Sequence, residues 1–242
     1  LDQFNQPNNF PATLPQSTDS AAVSLHNFTL RRQNQLLIQQ PELTIFKNKV
    51  TLLTGESGSG KSSFFKALTK IIPFDGTIQL FDRPLQKYSP SRLGQILGLV
   101  FQNANDQFLK VTVQEELELS LRHGHHPYFN RSRLADAIDK LGLQHLTNQV
   151  VYSLSGGQKK KLQLLVMLMM GQPLLLLDEP FSGLDQQSIA NVIDLIHNCQ
   201  QVLPQTILVI SHQLTGLDSL IDYHLHLSNR QLSYQGRPNH ES

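Results

Sequence analysis

Gly55-Glu56-Ser57-Gly58-Ser59-Gly60-Lys61-Ser62-Ser63 fills every position of the spacing G-x-x-x-x-G-K-[ST]. The apolar run Val50-Thr51-Leu52-Leu53-Thr54 precedes it and reads as a buried strand. Lys61 to Leu68 reads as a helix. This strand, loop and helix form the context in which such a loop cradles phosphates. Glycines let the backbone approach an anion, successive N–H groups point inward, and the helix start adds partial positive charge. Lys61 is placed to reach outer phosphates as a point charge. The Ser62 hydroxyl suits Mg2+, a hard ion that prefers oxygen ligands.

Further along the chain, Leu174 to Leu177 is a continuous apolar run, expected to be a central strand buried on both faces. It delivers Asp178 and Glu179 at its C-terminal end, the edge of an open α/β sheet where ligands bind. Asp178 is a candidate for holding the magnesium through a water, and Glu179 for activating an attacking water. Two acids after four leucines also fit a solvated strand end; the phosphate loop favours the functional reading.

Leu154-Ser155-Gly156-Gly157-Gln158 forms a second anion cradle. Ser155 can cap a helix from Gln158 to Met170, and the N–H groups of Gly156 and Gly157 are open to an anion. Without a ligand it is a well-capped helix. One nucleotide cannot fill both cradles if they lie on different subdomains, so the economical geometry is two chains head to tail.

These motifs together resemble the ATP-binding-cassette ATPases over about residues 22–236. The resemblance implies a P-loop NTPase fold: a RecA-like α/β core, an antiparallel β subdomain and a helical subdomain inserted at about residues 87–166, with residues 21–242 as one domain. It implies ATP and Mg2+ as cofactors. Gln102 matches the family's glutamine that contacts Mg2+ and the attacking water and senses the membrane partner. Asp185, in Ser182-Gly183-Leu184-Asp185, matches the loop that crosses the dimer interface, and His212 matches the histidine that contacts the γ-phosphate. A lone histidine after a strand is ordinarily structural, but the register of His212 reverses that reading. Arg32 falls where the family places an aromatic against adenine, and a guanidinium can also stack on a base.

Val100 to Gln107, followed by Val111 to Glu116, further resembles energy-coupling-factor ATPases, which drive bacterial uptake of vitamins and metal ions. The partners implied are a second ATPase chain, identical or related, and integral membrane subunits. The implied place is cytoplasmic, on the inner face of the membrane. The chain stops about thirty residues beyond His212, short of the additional C-terminal domain that many of those proteins carry.

Other signals are local. With 242 residues, 39% of them hydrophobic, the chain can bury one substantial core, and a net charge of +1 gives no electrostatic case for nucleic acid. Cys199 is the sole cysteine, which excludes an intrachain disulfide. Residues 1–20 read as a flexible polar tail, and Leu1 in place of methionine reads as a processed or engineered end. Asn48 suits a left-handed turn, and Thr112 with Glu115 suits a capping box. Gly76 to Leu80 is expected to rejoin the sheet. Lys159 to Lys161 are expected to be partly a solvated helix face, and His123, His125 and His126 a loop instead of a metal site.

Soluble cassette ATPases acting on DNA insert long coiled-coil arms between the glutamine and serine motifs, and only about fifty positions separate Gln102 from Ser155 here. Ribosome-acting ones carry two cassettes, and an exporter ATPase would continue into hydrophobic sequence. A regulator without turnover fits poorly with Glu179, His212 and Gln102 all present.

Overall fold

The computed structural model describes residues 13–16 and 19–236. Strands β1 (Ala21–Arg32), β2 (Gln35–Phe46), β4 (Asp75–Leu80) and β5 (Arg83–Pro84) pair antiparallel in the order β2-β1-β4-β5. The second sheet takes β3 (Val50–Gly55), β6 (Leu97–Val100), β7 (Leu174–Asp178), β8 (Thr206–Ile210), β9 (Tyr223–Ser228) and β10 (Gln231–Gln235) in the order β10-β9-β3-β8-β7-β6. Its strands run parallel except β10. The segment from Gly76 therefore does not rejoin the sheet of the phosphate loop; it pairs with β1 in the antiparallel sheet. Short strands with turn residues look alike in sequence, and the partner is chosen by contacts far along the chain.

Helices α1 (Lys61–Leu68), α2 (Pro90–Ile96), α3 (Val113–His123), α4 (Arg131–Lys140), α5 (Gly156–Met170) and α6 (Gln186–Val202) complete the chain. The leucine run works as a strand because its residues alternate between two cores. Leu175 and Leu177, with Ile207 and Val209 of β8, pack towards α5 and α6. Leu174 and Leu176, with Leu208 and Ile210, pack towards α1 and the antiparallel sheet. Every residue of β7 and β8 is buried. This two-sided burial fixes where the C-terminal ends of β3, β7 and β8 emerge together.

Capping sets the helix starts. Thr112 and Glu115 form the expected box on α3, and Ser155 with Gln158 forms a second on α5, which begins at Gly156, two residues earlier than expected. Asn48 turns in the left-handed region at φ 57. Cys199 is buried on α6, where burial pushes its thiol up to about 12. His126 is buried with edge-on contacts to Tyr128 and Phe129.

The tail assigned to residues 1–20 falls mostly outside the described residues. Of its described part, Asp19 accepts a hydrogen bond from the Tyr223 hydroxyl, and Ser20 accepts one from the Lys47 N–H. Among the described residues no helix is long and apolar enough to cross a membrane.

Candidate functional site

The phosphate loop leaves β3 at Gly55, whose φ is 148 and where an added Cβ would sit 2.6 Å from the Leu227 carbonyl oxygen, so a side chain there is excluded. Gly60, at φ 115, starts α1 without a side-chain cap, leaving the first N–H groups of the helix for an anion. Lys61 is buried and its ammonium donates to the Gly55 and Glu56 carbonyls at 2.7 and 2.9 Å. Burial lowers its pKa, and Glu179 and Asp178 oppose that shift.

Across the loop, β7 ends in Asp178, which is 7% exposed. Burial raises its pKa, and a hydrogen bond from the Ser62 hydroxyl works the other way. Its Oδ1 is buried without a hydrogen-bond partner. The pairing of Asp178 with Ile210 brings the next residues of β7 and β8 side by side. Glu179 takes φ 51, an uncommon left-handed conformation for a residue with a long side chain. Its N–H donates to the Ile210 carbonyl at 2.9 Å, its Oε2 accepts the His212 N–H at 3.3 Å, and its Oε1 lies 3.5 Å from His212 Nε2. Burial raises the carboxyl above its usual range, against the pull of His212. Strain of this kind persists where the surroundings over-determine it, and it concentrates at functional sites.

A cavity of about 490 Å³ gathers these groups: Ser57, Gly58 and Gly60 to Ser63 of the loop, Gln102, Asp178, Glu179 and His212, with Arg32, Gln33, Gln35 and Leu37 from the β1–β2 hairpin as a further wall. The volume lies in the range of small-ligand sites. Ser62, Asp178 and Gln102 offer oxygen donors on one side, and the unpartnered Asp178 oxygen fits a hard divalent cation. Glu56 and Ser59 face the other side of the loop, lining a second cavity of about 310 Å³ with His226 and Arg230.

The second cradle is elsewhere. Ser155, Gly156, Gly157, Gln158 and Asp185 do not line the cavity. Ser155 accepts from the Gln158 N–H at 3.3 Å and donates its own N–H to Gln158 Oε1 at 2.8 Å. An added Cβ on Gly156 would meet nothing within 4 Å. Asp185 is exposed and caps α6 by accepting the Ser188 N–H at 2.7 Å, which holds its carboxyl below the usual range.

One expectation is corrected here. Lys160 is not on a solvated face: it is 6% exposed, with its ammonium 3.3 Å from the Phe101 carbonyl. Sequence reasoning also missed Gln33, Gln35 and Leu37 of the cavity, and Thr54, whose hydroxyl lies 2.7 Å from His224 Nε2 and 2.8 Å from His226 Nδ1 behind the loop. The available signal was Tyr223-His224-Leu225-His226, polar rings at alternate positions of an apolar strand.

The family model described as ABC transporter matches residues 38–182, more than half of the chain. A Bacillus subtilis protein named "Putative HMP/thiamine import ATP-binding protein YkoD" is 29% identical over 219 residues, covering 90% of this chain and 39% of its own length. The chain thus spans about two fifths of that relative. The energy-coupling factor transporter ATP-binding protein EcfA1 of Thermotoga maritima is 29% identical over 215 residues, covering 88% of this chain and 81% of that protein. Among solved structures, CbiO1 of Clostridium perfringens, described as part of an ABC transporter complex, superposes with a TM-score of 0.73 at 24% identity, covering 90% of this chain and 89% of that one. At that identity the likeness concerns the fold.

Proposed function

The chain belongs to the ABC transporter ATPase family, and from that premise we propose that it is the ATP-hydrolysing subunit of a membrane importer of the energy-coupling-factor type, for vitamins or metal ions. The observation that carries this reading is the convergence of the phosphate loop, Gln102, Asp178, Glu179 and His212 on one cavity. The bound triphosphate lies along the loop, with its base towards Arg32. Lys61 leaves the loop carbonyls for the outer phosphates. Glu179, with its raised pKa and its hydrogen bond to the His212 backbone, accepts a proton from the attacking water, and His212 orients the γ-phosphate. Ser62, Asp178 and Gln102 would hold Mg2+, which would supply positive charge against the phosphates. The exposed start of α5, with Ser155 and its two glycines, together with Asp185, faces the nucleotide of a second chain in a head-to-tail dimer.

Membrane partners dock, in this reading, beside Gln102. An apolar groove of about 650 Å³ opens there between α3, α5 and the end of β6, lined by Phe101, Leu109, Leu119, Val166, Met167 and Met170. Leu109 is 79% exposed, which suits a surface that a hydrophobic partner segment covers. The chain then sits on the cytoplasmic face of the membrane through its partners.

Calorimetry with ATP and Mg2+ tests the core of this reading. Lys61→Ala is expected to weaken binding roughly 10–100-fold, the loss of one or two charge-assisted contacts. An unchanged affinity would remove the loop from nucleotide binding.

A further inference from the structure

The segment that carries Gln102 is tied to α5 by a closed ring of hydrogen bonds. Gln163, fully buried in the middle of α5, donates one amide proton to the Phe101 carbonyl at 3.0 Å and the other to Gln107 Oε1 at 3.2 Å. Gln107 Oε1 also accepts the Phe101 N–H at 3.5 Å. Both backbone groups of Phe101 are thus occupied by the Gln107 and Gln163 side chains. The Lys160 ammonium, one helical turn before Gln163, donates to the same carbonyl at 3.3 Å, filling its second acceptor site.

This arrangement is costly to build. A glutamine within Leu162-Gln163-Leu164-Leu165-Val166 and a lysine that is 6% exposed each lose their hydration, and a buried polar group left unpaired is destabilising. Apolar residues at both positions would pack α5 without that demand. The groups converge on the residue directly before Gln102. Lys160 also sits within electrostatic reach of Asp178 and Glu179, which oppose the lowering of its pKa by burial.

We propose that Lys160 and Gln163 are positioning residues for Gln102: by gripping the Phe101 carbonyl they make the Gln102 segment and α5 move as one body. The clamp gives a mechanical link between two nucleotides. Gln102 lines the cavity of its own chain, whereas the other end of the same rigid helix presents Ser155 outward. A shift of Gln102 on binding or hydrolysis therefore displaces the cradle offered to the second chain. The inference rests on the importer reading only where it assigns Gln102 to the Mg2+ site of the nucleotide; the clamp itself is a property of the nucleotide-free chain.

Hydrogen exchange on that nucleotide-free chain tests it first. In Gln163→Leu, and separately in Lys160→Met, amides of residues 101–108 are expected to exchange about tenfold faster, while those of the β1–β2 hairpin keep their rates. Unchanged exchange at 101–108 in both variants overturns the clamp. Turnover then separates positioning from plain stability. Gln163→Leu is expected to lower kcat about tenfold with KM for ATP within twofold, and to add less than a further twofold loss in a Gln102→Ala background. Lys160→Arg, which keeps a donor, is expected to restore turnover that Lys160→Met loses. An equal loss of kcat with and without Gln102 would mean that Gln163 acts through the fold alone. A wild-type chain that binds no ATP ends the importer reading and leaves the exchange result to decide the clamp.

Discussion

The two glycine-bearing helix starts of this chain are built in opposite ways. The start of α1 has no side-chain cap, borders a walled cavity and faces the buried Asp178 and half-buried Glu179 carboxyls at the end of β7. The start of α5 satisfies itself with a complete capping box and opens to solvent at Gly156. An uncapped helix start in a cavity leaves its donors to water or to a ligand; a capped and exposed one is stable alone and can accept a ligand brought by another molecule. The contrast supports a nucleotide bound by the loop of one chain and covered by the capped helix of another.

The sharpest way to break the contrast is at the walled end. Glu179→Gln is expected to lower turnover roughly 10²–10⁴-fold while ATP binding persists, because only the proton acceptor is lost. The same change should stabilise the nucleotide-free chain in thermal melts, since burial raises the carboxyl and its ionised form costs stability at neutral pH. Turnover near the parent value would remove Glu179 from the chemistry.

Burial behind the loop predicts a pH response that the exposed helix start lacks. Burial, reinforced by His226, pushes His224 down to about 4. The folded chain therefore keeps this imidazole neutral, while the unfolded chain takes up a proton below about 6.5. Its contribution is fully present above that pH and is lost progressively as pH falls to about 4, a change of roughly 3 kcal/mol. Denaturation midpoints across this window should fall steeply in the parent chain and less steeply in His224→Gln.

The smallest effect is expected at the exposed end. Ser155→Ala should cost about 1 kcal/mol of stability through the lost cap and lower turnover by roughly tenfold, with ATP affinity of the single chain unchanged. If affinity in dilute, monomeric protein falls with turnover, the serine serves its own chain and the head-to-tail reading fails.

How much of this was legible in the sequence varied with the range of the cause. The bounds of α1 and β8 follow from local pattern, and so does burial of the leucine run, because each of those residues has a core on its own face. The identities of Asp178, Glu179 and His212 were legible as strand-end residues; their meeting depends on the register of β7 against β8. The burial of Lys160 is not legible in the sequence because α5 is apolar nearly all round, so periodicity does not show which lysine of three turns inward. The destination of Gly76 to Leu80 is likewise not legible, because strand pairing is a choice among distant partners.

The phosphate loop, the strands that feed the site edge and the residue types available for its chemistry follow from the order of residues alone, since these rest on glycine conformations, strand and helix periods and caps within a few positions. Packing across the whole fold, by contrast, turns Glu179 left-handed against His212, brings Gln163 and Lys160 onto Phe101, and leaves the second cradle outside the cavity. Those outcomes depend on buried contacts between residues about thirty to sixty positions apart or more, whose energies exist only once the two cores have closed around the sheet.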